Sequence, residues 1–559
     1  MNIFWFLGIP FSVPLGLLFD AAYLFFKQSL LSMLHGVKYT PAMPEADDIK
    51  VMGIIMAGTM IMMFLYNIKL YFEGQREFNP FKMNSVTDIS DDKRRAQNKP
   101  VPHRYLSNKP DGLTIGRRGW KYVRIPFEKS PEHQLIYGSP GSKKSNVIKN
   151  ALLYILNREQ GSSGGISGGL VIDVKPELSR YTVYEGRDDI MVLNPSVIED
   201  NRYGFDVYYG LDEDSSDDEL VTRFSMISRT VIENPGGDNS FFYQSAQNIL
   251  TAFLIYGFRL GLSFGESVRN VLDASTEDLI AEIIADEDMD EHPKIKRLIR
   301  EYDGKDSDAF QDITMTLRQE LAIFDLDTVQ YFFSNENPNL ASPEDISNGK
   351  FLFIAIPDHL LTTYRTIFRL ICEMCINYLM SVPEWTRKGK DSCWFLIDEC
   401  GSIGKIPSLI DALARGRSKG ILLTMIAQSY SQLISTYGNQ GAITITDCAK
   451  INIVLSSYNP DTSRSLSLRC GNYRETKIST HSNTTSFFNS TTGMNESDEY
   501  RPIMEVSDIE ALERDERVLV FAKGDWFLVD KAPYYTIKSN KRLSDMILRK
   551  NGPFYPEDV

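Results

Sequence analysis

The chain has 559 residues, 43% of them hydrophobic, and a formal net charge of -14. That length supports two to four domains, each able to bury its own core, and the acidic balance excludes a uniformly basic nucleic-acid coat while leaving room for a local basic groove. The six cysteines, Cys372, Cys375, Cys393, Cys400, Cys448 and Cys470, carry no framework spacing, which excludes a disulfide scaffold and reads as reduced cytoplasmic thiols.

Residues 3–26 are apolar apart from Ser12 and Asp20, and residues 51–68 carry no charge. Each run is near the length a membrane span needs. A polar link with Pro41, Pro44, Glu45, Asp47 and Asp48 separates them, and Lys69, Arg76, Lys82, Lys93, Arg94 and Arg95 follow the second. That basic flank outweighs Lys27, Lys38 and Lys50 and places the rest of the chain in the cytoplasm. The expectation is a two-helix hairpin over residues 1–70, a multi-pass anchor in the cell (inner) membrane. The first segment lacks the basic n-region and A-x-A-like site of a removed signal peptide. Pro10, Pro14 and Asp20 leave an interfacial helix as its alternative. Residues 71–130 are rich in Asn, Lys, Pro and Asp and read as a linker and entry segment.

A phosphate-binding loop follows. In Gly138-Ser139-Pro140-Gly141-Ser142-Lys143-Lys144-Ser145, Gly138, Lys144 and Ser145 match G-x-x-x-x-G-K-[ST], after the apolar run Leu135-Ile136-Tyr137 and before the helical pattern of residues 146–156. Small residues let successive backbone N–H groups converge on phosphate oxygens, and the helix adds its positive end. Lys144 would reach the terminal phosphates and Ser145 would give its hydroxyl to Mg²⁺. The sixth position is Lys143 in place of glycine. If the loop needs φ > 0 there, strain of roughly 1–3 kcal/mol is expected. The bland alternative is a Ser/Gly turn that caps a helix and binds nothing.

Beyond a glycine-rich run at residues 161–168, the short strand Leu170-Val171-Ile172 ends in Asp173-Val174-Lys175-Pro176-Glu177, charged residues at a strand tip where α/β sheets bind ligands. Further strands are expected at residues 191–193, 351–356, 394–397, 421–426 and 451–455. From residue 351 onward they are short apolar runs between helical stretches, the pattern of a parallel sheet covered on both faces. Between about 210 and 340 the pattern changes to long amphipathic helices, such as residues 241–260 and 307–324. The expected fold is therefore α/β: a P-loop (RecA-like) nucleotide-binding domain over residues 131–210 and 341–559, with an all-helical insertion over 211–340.

The strand at 394–397 ends in Asp398-Glu399. In a P-loop ATPase a carboxylate here helps hold Mg²⁺ and an adjacent Glu orients the attacking water. An acidic pair that caps the next helix is the alternative. At the tip of the strand 421–426, Gln428 would sense the terminal phosphate, and Ser429 reads equally as a helix cap. Cys372 and Cys375 lie on a helical pattern without a second ligand pair, which favours core packing over zinc.

The ordered set of two N-terminal spans, the P-loop, Asp173-Val174-Lys175-Pro176-Glu177, Asn194-Pro195, Phe353-Ile354-Ala355-Ile356-Pro357, Leu396-Ile397-Asp398-Glu399, Gly416-Arg417-Ser418-Lys419-Gly420 and Ala427-Gln428-Ser429-Tyr430-Ser431-Gln432-Leu433 resembles the type IV coupling proteins. The resemblance runs on to Arg501-Pro502 and Lys531-Ala532-Pro533-Tyr534-Tyr535, nearly the whole chain. It implies a membrane-anchored homo-hexameric ATPase of conjugation that receives a relaxase bound to single-stranded DNA and passes it to a type IV secretion channel. It also implies that the helical domain takes part in substrate recognition. By the same resemblance Lys144 and Ser145 bind phosphate and Mg²⁺, Asp398 supports Mg²⁺, Glu399 activates water, Gln428 is a sensor, and Arg415 or Arg417 reaches a neighbour's site as an arginine finger. A solvated basic turn is the alternative for both arginines. Lys143 departs from the pattern and leaves two readings, an ATP-driven DNA or nucleoprotein translocase and a non-hydrolysing membrane scaffold that recruits substrate.

Cationic groups for DNA are present in Lys143, Lys144, Arg415, Arg417 and Lys419, without a stripe of interleaved aromatics. A hexameric pore needs only one basic loop per subunit. The Ser/Thr/Asn-rich segment 476–498 reads as a mobile loop.

Overall fold

The computed structural model describes residues 50, 51, 54, 58, 89–127, 132–157, 165–174, 178–179, 188–198, 203–305, 307–384, 391–486 and 489–551. Of the expected N-terminal hairpin only Lys50, Val51, Ile54 and Gly58 fall among these, and Lys175, Pro176 and Glu177 of the charged strand tip lie outside them. No helix among the described residues is long and apolar enough to cross a membrane.

By compactness the chain divides into two units, one of residues 1–100, 118–120 and 475–499, the other of residues 101–117, 121–474 and 500–559. The strands in chain order are β1 (Leu106–Ser107), β2 (Leu113–Arg118), β3 (Lys121–Ile125), β4 (Gln134–Tyr137), β5 (Ile166–Asp173), β6 (Ile190–Leu193), β7 (Gly204–Phe205), β8 (Leu340–Ala341), β9 (Phe351–Ala355), β10 (Ser392–Ile397), β11 (Ile421–Ala427), β12 (Ile451–Val454), β13 (Asn472–Ser486), β14 (Asn489–Pro502), β15 (Arg517–Ala522) and β16 (Asp525–Lys531). Twelve of them form one sheet in the order β1-β3-β2-β16-β15-β12-β4-β11-β10-β5-β9-β6.

From β12 to β6 all neighbours are parallel. Strands β4, β9, β10, β11 and β12 are buried along their whole length, as continuous apolar runs covered on both faces must be. Inside the sheet the Trp394 indole N–H donates to Thr424 Oγ1 at 2.9 Å and that hydroxyl donates to Gln134 Oε1 at 3.0 Å. This chain of buried polar groups ties the registers of β10, β11 and β4, because a one-residue slip would orphan each of them.

Three expectations are corrected here. The entry segment contains β1, β2 and β3, which belong to the same sheet. Leu113, Ile115, Val123 and Ile125 are buried, but Arg117 and Arg118 at the end of β2 and Lys121 and Arg124 in β3 make these short strands read as polar linker. The sheet is also mixed, since β15 runs antiparallel to β12 and β16 antiparallel to β15. Lys523 and Gly524, at φ 54° and 90°, make the two-residue turn between β15 and β16, the backbone that a tight hairpin favours. Lastly, residues 476–486 and 489–498 form strand backbone of the ribbon β13-β14 in place of a loop, in keeping with the many threonines there.

Gly168, at the end of the glycine-rich run, lies within β5. A Cβ on Gly168 would meet the Ile346 carbonyl oxygen at 2.4 Å, and one on Gly169 the Trp394 oxygen at 2.1 Å. These glycines allow β5 to approach its neighbours closely. Gly169→Ala is expected to lower the unfolding free energy by about 1–3 kcal/mol through forced backbone shifts, read as an earlier urea midpoint. An unchanged midpoint would contradict the close approach.

Between Asp217 and Phe332 every regular element is helical. Ser216, Ser263, Ser275 and Ser307 each cap a helix through the side-chain oxygen. The expected helices lie at Ser240–Arg259 and Asp308–Leu321. They enclose a core that includes Phe224, Leu254, Ile283, Ile299 and Leu317, all without solvent exposure. Cys372 and Cys375 are likewise buried, in the helix Leu361–Ser381, and burial pushes both thiols up.

Candidate nucleotide-binding site

Parallel register delivers the tips of five strands to one edge of the sheet. Tyr137 lies beside Ala427 and Val454, Met425 beside Ile397, and Ile397 beside Ile172. The next residues, Gly138, Gln428, Leu455, Asp398 and Asp173, therefore emerge together, at the carboxyl edge where α/β sheets bind ligands.

The P-loop is cradled by its neighbours. Gly138 N–H donates to the Ala427 carbonyl at 3.2 Å and Ser139 N–H to Ser456 Oγ at 3.0 Å. The loop then turns into the helix Lys144–Asn157, whose first N–H groups have no intrahelical acceptor. A Cβ on Gly138 would sit 2.4 Å from Ser142 Oγ, so the turn closes only over a glycine. Ser142 Oγ is itself buried without a hydrogen-bond partner, an unsatisfied group of the kind a phosphate oxygen completes.

Lys143 has φ 69°. The loop does require the left-handed backbone that glycine adopts freely, and a lysine holds it under strain. Its ammonium points to Glu516 Oε1 at 2.6 Å, and this pairing raises the Lys143 pKa.

Lys144 Nζ lies 2.9 Å from Glu399 Oε1, with the two side chains only 13% and 15% exposed. The other carboxylate oxygen, Oε2, accepts from Gln428 Nε2 at 2.9 Å. Lys144, Glu399 and Gln428 thus form one chain of contacts. Glu399 also has positive φ, 54°, a strain that persists only where the surroundings impose it. Gln428 is steadied by its own N–H, which donates to Gln432 Oε1 at 2.9 Å, and Ser429 caps the helix Tyr430–Cys448 by accepting from Gln432 N. A side chain on Gly401 would collide with Gln432 Cγ at 2.3 Å. Ser145 is half-buried in the first turn of the P-loop helix, and Asp398 is half-buried at the tip of β10.

Asp173 is fully buried and accepts from the N–H groups of Leu178 at 2.8 Å and Ser179 at 2.7 Å. Burial pushes its carboxyl up from 3.8 to about 8 against those hydrogen bonds, with the nearby Asp398 charge adding to the rise. Between about pH 4 and pH 8 the folded chain therefore holds a proton that the unfolded chain has released, and stability falls as pH rises through that window. The slope is at most about 1.4 kcal/mol per pH unit. Asp173→Asn keeps the acceptor oxygen and removes the titration. Its Tm advantage over the wild type is expected to grow from pH 5 to pH 8, and a constant difference would refute the buried proton.

Arg415 and Arg417 are not brought to these residues within the chain. Arg417 Nη2 lies 3.1 Å from Glu132 Oε1, just before β4 and thus at the far end of that strand from the P-loop, while Arg415 pairs with Asp411 on its own helix. Motif reading gives no role to Ser456, Gln432 or Glu516. Gln432, four residues after Gln428 at a helix start, carried a local signal; the other two approach from 317 and 373 residues away.

A model of the family described as type IV secretory system conjugative DNA transfer matches residues 83–555. The chain belongs to that family. Among curated relatives, the conjugal transfer protein TraG of Rhizobium radiobacter is 25% identical over 384 residues, 64% of this chain and 56% of TraG. The type IV secretion system-coupling protein VirD4 of Bartonella quintana is 23% identical over 297 residues, 51% of this chain and 45% of VirD4. The chain thus spans about half the length of these coupling-family relatives. In fold it is similar to the bacterial conjugative coupling protein TrwBΔN70, with TM-score 0.57 and 19% identity over 80% of this chain and 92% of that one. It is similar also to TrwB in complex with ADP and Mg²⁺, with TM-score 0.54, 18% identity and coverage of 76% and 90%. The α/β architecture with its large mixed sheet is the coupling-protein fold.

Proposed function

We propose that the chain is a membrane-anchored coupling ATPase which recruits a relaxase bound to single-stranded DNA and drives its delivery to a type IV secretion channel during conjugation. The observation that carries the ATPase part is the Lys144–Glu399–Gln428 chain of contacts at the mouth of the P-loop. The unpartnered Ser142 hydroxyl and the glycine-only closure at Gly138 fit a nucleotide phosphate.

Gly138, Ser139, Pro140, Gly141, Ser142 and Lys143 line the cradle through their backbone. Lys144 leaves Glu399 to meet the terminal phosphates. Ser145 and Asp398 would hold Mg²⁺, which, when bound, neutralises charge on the phosphates. Freed from Lys144, Glu399 orients a water and accepts its proton. Gln428, already bonded to Glu399, reports whether the terminal phosphate is in place. Arg417 is half-exposed, and Lys523, 2.7 Å from Glu132, keeps that buried carboxylate paired when the arginine leaves. Arg417 is therefore the better choice than Arg415 for reaching the site of a neighbour in a homo-hexamer. The hairpin over residues 1–70 anchors the protein in the inner membrane, with residues 131–210 and 341–559 as motor and residues 211–340 as the substrate-recognising insertion.

Full-length protein extracted from membranes is expected to hydrolyse ATP with Mg²⁺, faster with single-stranded DNA, and to form six-fold particles. No turnover in either condition, and none after Lys143→Gly, would sink the motor and leave the non-hydrolysing scaffold.

A further inference from the structure

Among the described residues four that are not glycine have positive φ: Lys143, Glu399, Glu516 and Lys523. Lys523 belongs to the β15-β16 turn, where hairpin geometry asks for it. The other three are joined to the P-loop, Glu399 through Lys144 and Glu516 through Lys143. Strained residues gathered in one place point to a built feature.

An exposed ion pair contributes little by itself, and the Lys143 and Glu516 side chains are 39% and 52% exposed. A second link lies beside it, however. The Glu516 carbonyl accepts the Lys531 N–H at 2.8 Å, and the Lys531 ammonium lies 3.5 Å from the Ser142 carbonyl oxygen. Two residues joined across the β15-β16 pair therefore reach two consecutive residues of the P-loop. Without that grip Lys143 would relax toward negative φ, turning its N–H out of the phosphate cradle.

We propose that Glu516 is a positioning residue for the nucleotide site: through Lys143 it holds the sixth P-loop residue left-handed, the work a glycine does unaided in the ordinary motif. The inference rests on the nucleotide-site reading above. It makes Lys143 one half of a compensated pair and removes the grounds for calling the loop defective.

The test is a double-mutant cycle on the full chain, reading affinity for a fluorescent ATP analogue with Mg²⁺. Glu516→Gln is expected to weaken binding by about 3- to 10-fold, within the range for coupled neighbours. The same change is expected to do nothing in a Lys143→Gly background, which needs no grip. Exchanging the charges, Lys143→Glu with Glu516→Lys, should restore binding lost in either single change. In turnover the Glu516→Gln loss should fall on KM and spare kcat. Equal weakening in both backgrounds, or none in the Lys143 chain, overturns the inference alone. Binding missing from the wild type itself, as from a Lys144→Ala control, overturns the nucleotide site and this inference with it.

Discussion

Lys144→Ala is expected to abolish nucleotide turnover to the limit of measurement, a loss on the order of 10²–10³-fold or more, as when a preorganised donor to transition-state charge is removed. The reason is specific to its surroundings. The Lys144 side chain is 13% exposed and its ammonium already stands at the loop mouth, held at 2.9 Å by Glu399. A charge kept in partial seclusion acts more strongly on a phosphate than the same charge in water. The substitution also leaves Glu399 buried without its cation, so nucleotide affinity should fall together with turnover. Affinity by fluorescence and hydrolysis by phosphate release check both losses. Retained turnover in Lys144→Ala would remove the lysine from the chemistry.

Much of this site was legible in the residues, and for a physical reason. Parallel strands covered on both faces are mostly apolar, so β4, β10 and β11 stand out as short apolar runs in spite of Gln134 and Thr424, and the residues that follow them lie together at the sheet edge. Tyr137, Ile397 and Ala427 each end such a run, which marks Gly138, Asp398 and Gln428 as strand-tip residues. Even the left-handed backbone at Lys143 followed from the motif's need for glycine.

What stayed hidden depends on neighbours that no local pattern encodes. Arg117 and Arg118 in β2 and Lys121 and Arg124 in β3 give these short strands the look of linker; only their place in the sheet shows Leu113, Ile115, Val123 and Ile125 to be core. Glu516 could not be paired with Lys143 from a distance of 373 residues. The raised pKa of Asp173 has no sequence signature either, because it comes from complete enclosure. In each case a local rule was overridden by a tertiary contact.

The same contacts decide what Glu399→Gln should do. Turnover is expected to fall by about 10²–10⁴-fold, the usual contribution of a positioned general base. Affinity, in contrast, should be kept or improved. In the wild type a phosphate must draw Lys144 away from a carboxylate at 2.9 Å, and an amide competes for that ammonium less strongly than a charge does. Glu399 now receives two donors, Lys144 Nζ on one oxygen and Gln428 Nε2 on the other. After substitution one of those oxygens becomes an NH₂, which is satisfied when Gln428 turns its amide over to present its own oxygen. The fold of the tip is thereby preserved while the base is lost. Slow turnover with tight binding is the signature, opposite to that of Lys144→Ala, where both are lost. If Glu399→Gln loses binding in proportion to turnover, then Glu399 shapes the site and some other group activates the water.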